Sequence, residues 1–572
     1  MKKRIVCILA LTLMLALTCL AACKGDTPGG APPPETAGQP GKEQPPDPGA
    51  VPAKEQYLNH FLGEEVSTVD ACLTDNNVDE AVIMNIMEPL TRLIPTLDGG
   101  YEFMPAGAKS WSSNEDGTVW TFVLNDNFWE DGQAVTAQDY EYAIKRFVNP
   151  ETASELGWQL DCLLNYYAIT DDGMDLDELG VKATDDKTLV ITLGESVPYF
   201  MELTAIQVMT PQRKDIVERY GEKYGSGAEF VLSCGPFKIE SWMLGGTIVL
   251  VKNEKYWDVA NVALDRINLA LIQDSSTQMA AFENGEIDQV RAISAEWRDS
   301  FMAMPGVEYH PVPAQTILYY FFNTNDAIFQ NVNIRRAFVM ALDREQLCAM
   351  VYTGLREPCY GWVVPSISVG EHNFRKAAGD VVKAMAADYG DPRALLIEGM
   401  KELGLGEDPA TLEITFKLAG TDQMFHTIGE YLQQNYKTKL GVNLEIDFSE
   451  WADFSGAINR HEYQIAQMSW GAYYNEPYDV LSLFISDWDS INTGWANDEY
   501  DALIRRASHE LDDAKRLQLY IQAERILIYD YAVACPVAVA NYQHFCRDYV
   551  QGARWASFGD VSYKLYDTSA RP

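Results

Sequence analysis

The seven histidines are the first residues to test for chemistry, because histidine is a frequent metal ligand and general base. They are scattered along the chain and form no H-E-x-x-H motif, lying at His60, His310, His372, His426, His461, His509 and His544. The sequence also has no G-x-S-x-G, no G-x-x-x-x-G-K-[ST] and no G-x-G-x-x-G. A hydrolase that uses two carboxylates stays open, since such a pair has no fixed spacing and 83 residues are acidic. The patterns predict no metal site, no cofactor and no catalytic residue.

The cysteines offer a second kind of chemistry. Of the 10 cysteines, Cys7 and Cys19 lie in an apolar N-terminal run and Cys23 ends it. The other seven are Cys72, Cys162, Cys234, Cys348, Cys359, Cys535 and Cys546. An odd number cannot be fully paired, and the absence of C-x-x-C argues against zinc or thioredoxin-like sites. We expect isolated buried thiols, while one disulfide, either Cys348 with Cys359 or Cys535 with Cys546, stays open.

The third reactive position is Cys23, at the end of MKKRIVCILALTLMLALTCLAAC. Basic residues precede an uncharged apolar run over residues 5–20, which is the pattern of a secretory signal. Because Leu20-Ala21-Ala22-Cys23 looks like a bacterial lipobox, we predict a signal peptide over residues 1–22 and lipid on Cys23. The alternative, a retained transmembrane helix, needs ~20 apolar residues, and this run is shorter. The prediction places the protein outside the cytoplasm, anchored to the outer face of the cell membrane or periplasmic.

Residues 23–56 follow this anchor and are rich in proline and glycine. The segment has almost no large apolar residue, so it cannot bury a core and is predicted to be a disordered tether. The whole chain carries a formal net charge of −39. Such a charge repels phosphate backbones, which argues against nucleic acid as a partner.

An aromatic stretch, MSWGAYYNEPYDVLSLF, covers residues 468–484. It holds one tryptophan, three tyrosines and a phenylalanine beside only two carboxylates, Glu476 and Asp479. Aromatic side chains bury large areas, so the stretch could belong to a core. It could equally line a binding surface, and the pattern alone leaves both interpretations open.

Strands and helices must position these residues. Runs rich in β-branched and aromatic residues predict strands over residues 119–124, 188–193, 247–251, 412–416 and 442–446. Thr136 and Asp139 resemble a capping box, and the helix that they start ends before Pro150. An apolar stripe over residues 334–341 predicts a second helix, followed by a new cap at Asp343. Mixed elements in a chain of 572 residues predict an α/β architecture with more than one lobe.

Several longer motifs follow one another in the order seen in a known family. They are MEPLTRL (87–93), the segment from PAGAKSW to NPETAS (105–154), LGVKATDDKTLVITL (179–193), CGPFKIESW (234–242), FENGEIDQV (282–290), the segment from FFNTND to DREQL (321–347) and WGAYYNEP (470–477). In this order they resemble oligopeptide-binding proteins, which are extracytoplasmic solute-binding proteins that deliver peptides to ABC importers. The resemblance runs from about Glu65 to the C terminus.

Two of these regions are interpreted as scaffold. In NDNFWEDGQAVTAQDY, Asp131-Gly132 supplies a turn, and Phe128 and Trp129 are expected to plug the lobe between neighbouring elements. KNEKYWD, over residues 252–258, should likewise end a strand in a polar turn and an aromatic plug.

The resemblance implies a two-lobed, periplasmic-binding-protein-like fold of the class II, three-domain type, which closes on its ligand by a hinge motion. Lobe one (domain I) would combine residues 57–95, 206–310 and 536–572. Residues 96–205 would form the extra domain II, and residues 311–535 would form lobe two (domain III). The crossovers between the lobes would then lie near Pro311 and Pro536.

The resemblance also implies the function: the protein is not an enzyme but captures a peptide or another small solute. Its implied partners are an ABC permease and ATPase, and it is expected to be a monomer. In the family the peptide lies extended between the lobes and is held through its backbone. Members also carry sugars, nickel complexes and other solutes, so a non-peptide ligand stays open, as does a surface receptor or adhesin without an importer. The implied contact residues are Trp470, Gly471, Ala472, Tyr473 and Tyr474, with Asn323, Glu65, Val66 and Asn492 as candidates for which a structural role is equally open.

One position departs from the family pattern. Relatives have an aspartate that pairs with the ammonium group of the peptide where this chain has Tyr473. A tyrosine is neutral at pH 7 and supplies no counter-charge. The sequence therefore predicts that Glu476 or Glu65 replaces the charge, or that binding depends less on a free N terminus.

Overall fold

The computed structural model describes residues 54–96, 101–487, 489–558 and 561–572. The predicted signal peptide, Cys23 and most of the predicted tether lie outside these residues. Residues 54–56, at the end of the predicted tether, contact the folded chain. The backbone N–H of Gln56 donates to Oδ2 of Asp265 at 2.9 Å, and the Nζ of Lys54 donates to the carbonyl of Arg571 at 2.9 Å.

Helices and strands alternate from the start of the described chain. Up to residue 205 they are β1 (Tyr57–Leu62), α1 (Asn77–Ile86), β2 (Thr91–Pro95), β3 (Tyr101–Pro105), β4 (Ala108–Ser113), β5 (Val119–Leu124), α2 (Ala137–Val148), α3 (Tyr166–Thr170), β6 (Val181–Asp185), β7 (Thr188–Thr192) and α4 (Phe200–Leu203). The next group is α5 (Lys214–Tyr220), β8 (Phe237–Trp242), β9 (Thr247–Lys252), β10 (Arg266–Leu271), α6 (Ser275–Glu283), β11 (Gln289–Arg291), α7 (Ala295–Met302) and β12 (Val307–Phe322).

The remaining elements are mostly helical. They are α8 (Val332–Ala341), α9 (Arg344–Met350), β13 (Arg356–Pro358), β14 (Ser368–Val369), β15 (His372–Asn373), α10 (Phe374–Ala378), α11 (Val381–Tyr389), α12 (Pro392–Glu402), β16 (Ile414–Ala419), α13 (Gln423–Lys439), β17 (Leu444–Ser449), α14 (Trp451–Asn459), β18 (Ile465–Gly471), α15 (Pro477–Leu481), α16 (Asp498–Ala507), α17 (Asp513–Glu524) and β19 (Ala534–Arg547).

Two large apolar cores organise these elements. The first core draws mainly on residues 58–269 and includes side chains of two four-stranded sheets, with strand orders β1-β10-β9-β8 and β4-β5-β7-β6. The second core draws on residues 317–539 around a seven-stranded sheet, ordered β11-β19-β12-β18-β16-β17 with β13 paired to β19. A smaller third core lies between residues 279 and 309 and includes Phe545.

Two long antiparallel strands connect the regions of the first and second cores. Strand β12 pairs with β19 from Val307 opposite Arg547 to Phe321 opposite Ala534, with irregularities after Pro313 and Leu318. Pro311 and Pro536 both lie inside these strands, opposite Gln543 and Tyr319 respectively. A hinge at the proposed crossovers would therefore bend a continuous strand pair.

The predicted elements are confirmed with small shifts at their ends. The strand over residues 119–124 has the predicted bounds, whereas β16 and β17 begin two residues later than predicted. The capping box of α2 is confirmed, since Thr136 and Asp139 exchange hydrogen bonds at its start. The side chain of Asp343 caps α9 by accepting from the backbone N–H of Gln346 at 3.0 Å.

The MEPLTRL and KNEKYWD motifs meet in one buried cluster, here called the Glu88 cluster, which consists of Glu88, Arg92, Tyr256 and Trp257. Glu88 is fully buried and accepts from the guanidinium of Arg92 at 2.6 Å. It also accepts from the Tyr256 hydroxyl at 2.6 Å and from the Trp257 indole N–H at 3.0 Å. The scaffold interpretation of KNEKYWD is thereby confirmed.

The predictions for the neighbouring rings of Phe128 and Trp129 have different outcomes. Trp129 is buried as predicted, but Phe128 is 40% exposed, so its expected role as a plug is wrong. Phe128 lies where the chain turns back at an isolated bridge to Ala134, which places its ring at the surface.

All seven cysteines among the described residues are free, which rules out both disulfides that the sequence left open.

Candidate functional site

A cleft with two connected cavities separates residues of the first core from residues of the second. The larger cavity has a volume of about 1200 Å³ and the smaller one about 460 Å³. Both are lined by Leu93, Glu202, Trp555, Ala556 and Ser557, so they join at these residues. This volume is sufficient for a ligand of several residues or a comparable small molecule.

The end of β18 carries the aromatic stretch into the cleft. Within the sheet, Trp470 and Gly471 pair with Ile317 and Thr316 of β12. The chain then leaves the strand, and the backbone N–H of Ala472 donates to the carbonyl of Gln315 at 3.1 Å. Of the five contact residues predicted here, Ala472, Tyr473 and Tyr474 line the smaller cavity. Trp470 and Gly471 are not among the residues that line either cavity.

Asp479 holds the loop that contains Tyr473. This aspartate is buried, and its Oδ2 accepts the backbone N–H of Tyr473 at 2.9 Å. Burial raises the pKa of Asp479 to about 7, against the opposing effect of that hydrogen bond. The side chain of Tyr473 is 49% exposed, and burial of its other half raises the pKa of its hydroxyl further above 10. Tyr473 therefore stays neutral and brings no charge to the cavity.

The aromatic rings of this segment contact the opposite side of the cleft. Tyr199 stacks on Tyr474, with ring centroids 4.9 Å apart and planes 14° apart, and on Tyr478 at 5.5 Å. The ring of Tyr473 meets that of Trp158 edge to face at 5.6 Å. Further along, Leu481 and Phe484 are buried in the second core. Residues 472–476, in the middle of the stretch, therefore line the cleft, and the end of the stretch lies in a core.

Glu476 lines the larger cavity but is already paired. Its Oε1 accepts from the Nε of Arg516 at 2.9 Å, and both side chains are 4% exposed. A second carboxylate, Asp513, lies 2.7 Å from the same guanidinium. Burial raises the pKa of Glu476 to about 7, and Arg516 limits this rise. Because Arg516 neutralises Glu476, this carboxylate is poorly placed to supply the charge that is missing at Tyr473.

The other predicted contact residues lie away from the two cavities. Exposed Glu65 accepts from the backbone N–H of Gly245 at 2.6 Å, while Val66 is 2% exposed and belongs to the first core. Asn323 is buried and donates to the carbonyls of His461 and Tyr463, both at 3.0 Å. Asn492 has a φ of 57° and donates to Oδ1 of Asn459 at 3.1 Å. In this arrangement all four hold local structure.

Sequence reasoning missed several residues that line the cleft. Glu80 of α1, Gln159, Glu202 of α4 and Trp555 all line the smaller cavity. They come from four distant parts of the chain and belong to no local motif. Their contribution depends on the packing that brings these parts together.

Residues 102–492 match the family model described as bacterial extracellular solute-binding proteins, family 5 Middle. The chain belongs to this family. It is 32% identical over 510 residues to the dipeptide-binding protein DppE of Bacillus subtilis (strain 168). The aligned region covers 88% of this chain and 90% of that protein. It is also 32% identical over 485 residues to the oligopeptide-binding protein OppA of the same strain, covering 83% and 86%.

A solved structure with a similar fold is the unliganded open form of the periplasmic murein tripeptide binding protein MppA. The match has a TM-score of 0.73 and 26% identity and covers 90% of this chain and 97% of that structure. The two-lobed periplasmic-binding-protein-like fold that the resemblance implied is thereby confirmed. Members of this family are solute-binding proteins and not enzymes.

No helix among the described residues combines the length and the apolar composition needed to cross a bilayer. Within the same part of the chain, no group of three or more His, Cys, Asp and Glu side chains is placed to hold a metal ion.

Proposed function

We propose that this chain captures peptides outside the cytoplasm, binds them in the cleft and delivers them to an ABC importer. The observation that carries the proposal is the continuous cleft of two cavities, of about 1200 Å³ and 460 Å³. Relatives at 32% identity that cover most of the chain are named for dipeptide and oligopeptide binding, which supports peptide as the ligand class. Lobes divided at residues 311 and 536, with an extra domain over 96–205, remain part of this proposal.

The test is to identify what the purified protein holds. The mature chain is incubated with a peptide mixture, washed and denatured, and the released molecules are identified by mass spectrometry. Intact peptides support the proposal, cleaved products would favour a hydrolase, and release of a non-peptide solute or of nothing contradicts peptide capture. A saturating peptide at a hundredfold excess over its Kd should stabilise the folded protein by about 2.7 kcal/mol through mass action.

A cleft-blocking variant makes this test specific. Ala556 lines both cavities, so Ala556→Trp should fill space at their junction and prevent peptide retention. Ala387→Trp adds the same side chain at an exposed position of α11 and serves as the control. Equal retention by both variants would contradict binding in the cleft.

We further propose that lipid on Cys23 holds the protein at the membrane. The support is the lipobox at the end of the apolar run, because only Cys23 stands at the processing position. Cys23→Ser should abolish incorporation of a labelled fatty acid and leave unprocessed precursor. Fatty-acid labelling that survives this change would contradict the anchor, whereas membrane retention of the precursor would not, since its apolar run can insert by itself.

The neutral side chain of Tyr473 carries a proposal of its own. Position 473 should recognise an N-terminal ammonium group more weakly than the aspartate of relatives does, since Tyr473 has no charge and Glu476 is paired with Arg516. Tyr473→Asp should then increase the penalty of N-acetylating a bound peptide about tenfold relative to Tyr473→Asn, which has similar size without the charge. Calorimetry with a peptide and its N-acetyl twin measures the penalty, and equal penalties in both variants would contradict the proposal.

A further inference from the structure

The smaller cavity of the cleft presents hydrogen-bond acceptors that have no donor among the described residues. Glu80 and Glu202 line it, and neither side chain makes a hydrogen bond or an ion pair within that part of the chain. Gln159, which also lines the cavity, is 7% exposed, and its Oε1 is buried without a partner. The Oε1 of Gln315 in the same wall is also buried without a partner. Unpaired acceptors in a partly desolvated site are costly unless a ligand brings donors.

The protein offers little positive charge to these groups. Among the described residues that line the smaller cavity, Arg554 is the only lysine or arginine, and its side chain is exposed to solvent. His544 lies in the same wall, but burial lowers its pKa to about 4, so its ring is neutral at pH 7. Arg516, a buried arginine that lines the larger cavity, is occupied by Glu476 and Asp513.

Much of the remaining wall is aromatic. Tyr473, Tyr474, Trp555, Phe558 and Tyr563 all line the smaller cavity. The faces of such rings attract cations by about 0.5 to 2 kcal/mol, depending on how far the cation is desolvated. Carboxylates, an unpaired amide oxygen and ring faces together form an environment that suits a positively charged nitrogen group and is poorly suited to an anion.

We propose that Glu80 and Glu202 form a cation subsite in the smaller cavity, which binds an ammonium or guanidinium group of the ligand. The subsite rests on the proposed function, since it assigns a charge preference to the ligand of that cleft. The positive group could be the N terminus of a peptide or a lysine or arginine side chain, because both present the same N–H donors and the same charge. The carboxylates would serve as determinants of specificity, while the aromatic walls exclude water.

The electrostatics of the two carboxyl groups agree with this assignment. Burial raises the pKa of Glu202, and together with the negative charge of Glu476 it brings that pKa to about 8. Burial alone raises the pKa of Glu80. Neither group has a positive partner among the described residues to stabilise its ionised form, and a bound cation would provide one.

The test uses calorimetry of the mature chain with four synthetic peptides. They are Ala-Lys-Ala-Ala, the same peptide with norleucine in place of lysine, and the N-acetyl twins of both. Each is titrated into the wild type, into Glu80→Gln/Glu202→Gln, and into Glu222→Gln/Glu398→Gln. The second double variant removes the same number of charges from exposed carboxylates that line neither cavity, so it controls for long-range electrostatics.

In the wild type, we expect removal of one positive group to weaken binding at least tenfold. Loss on acetylation identifies the N terminus as the cation, and loss on norleucine substitution identifies the side chain. In Glu80→Gln/Glu202→Gln the same loss should fall below threefold, while in Glu222→Gln/Glu398→Gln it should persist. A loss of unchanged size in Glu80→Gln/Glu202→Gln, or no loss in the wild type, would overturn the subsite.

The two proposals can fail separately. If none of the four peptides binds the wild type, capture of such peptides is contradicted, and the subsite is then tested by titrating spermidine, a cation that is not a peptide. Spermidine binding that is lost in Glu80→Gln/Glu202→Gln and kept in Glu222→Gln/Glu398→Gln supports the subsite. Absence of spermidine binding to the wild type would overturn it.

Discussion

The buried carboxylate of Glu88 and the cavity carboxylates of Glu80 and Glu202 have opposite surroundings. Glu88, just after helix α1, is fully buried and receives donors from Arg92, Tyr256 and Trp257. Glu80, within the helix, and Glu202 of α4 both line the smaller cavity, and neither receives a donor from the described residues. A carboxylate with its donors in place stabilises the fold, while one without them is a cost that a ligand can relieve. The two groups should therefore respond to mutation in opposite directions.

The largest expected effect follows from removal of the central carboxylate of the Glu88 cluster. Glu88→Ala leaves the guanidinium of Arg92 buried without its counter-charge and deprives Tyr256 and Trp257 of their acceptor. The loss of unfolding free energy should be about 3 to 5 kcal/mol. Urea unfolding followed by tryptophan fluorescence measures it.

The matched control removes both charged partners of the Glu88 cluster. Glu88→Gln combined with Arg92→Met eliminates the unpaired charge and keeps an acceptor near the two aromatic donors, so it should cost less than Glu88→Ala. If Glu88→Ala lowered the free energy of unfolding by less than about 1 kcal/mol, the Glu88 cluster would not contribute substantially to the stability of the fold.

Removal of the unpaired carboxylate of Glu202 should instead raise the free energy of unfolding of the ligand-free protein. The pKa of Glu202 is raised from 4.5 to about 8, first by burial and then by the charge of Glu476, which is itself paired with Arg516. The folded protein therefore keeps a proton that the unfolded chain loses above pH 4.5. Stability from this group is fully present below pH 4.5, falls as the pH rises to about 8, and is then constant.

Glu202→Gln removes this pH-dependent cost. The ligand-free variant should match the wild type in stability near pH 4.5 and exceed it by on the order of 1 to 3 kcal/mol above pH 8, allowing for water in the cleft. Thermal unfolding at a series of pH values measures the difference. Glu102→Gln, at an exposed carboxylate, should change stability by less than about 0.5 kcal/mol at each pH. A Glu202→Gln variant that lost stability with rising pH would break the comparison.

The sequence predicted the scaffold better than the cleft because scaffold signals are local. The capping box of Thr136 and Asp139 and the cap at Asp343 depend on residues three positions apart, and both are confirmed. Phe128 and Trp129 are adjacent and equally aromatic, yet only Trp129 is buried. Which of two neighbouring rings faces the core depends on the path of the chain, which composition does not specify.

The cleft combines residues that no local pattern connects. The aromatic stretch was identified because Tyr473 and Tyr474 lie together in the sequence, but Glu80, Glu202 and Trp555 meet them only after folding. Whether a carboxylate is paired is also a tertiary property. From the sequence, Glu476 was predicted as a possible counter-charge. In the fold it is paired with Arg516, which lies 40 residues further along the chain.

The smallest expected effect comes from an uncharged contact of the same cleft. Tyr199 stacks on Tyr474 and Tyr478, at centroid distances of 4.9 and 5.5 Å, and so contacts the segment that carries Tyr473. Replacing this ring by Tyr199→Leu should cost about 0.5 to 1.5 kcal/mol of unfolding free energy, because stacking is lost while most apolar contact is kept. Tyr199→Phe retains the ring and should cost less than about 0.5 kcal/mol. Urea unfolding of both variants beside Glu88→Ala places the three effects on one scale. If Tyr199→Leu lost as much unfolding free energy as Glu88→Ala, aromatic contacts across the cleft would stabilise the ligand-free protein as much as the buried charges do.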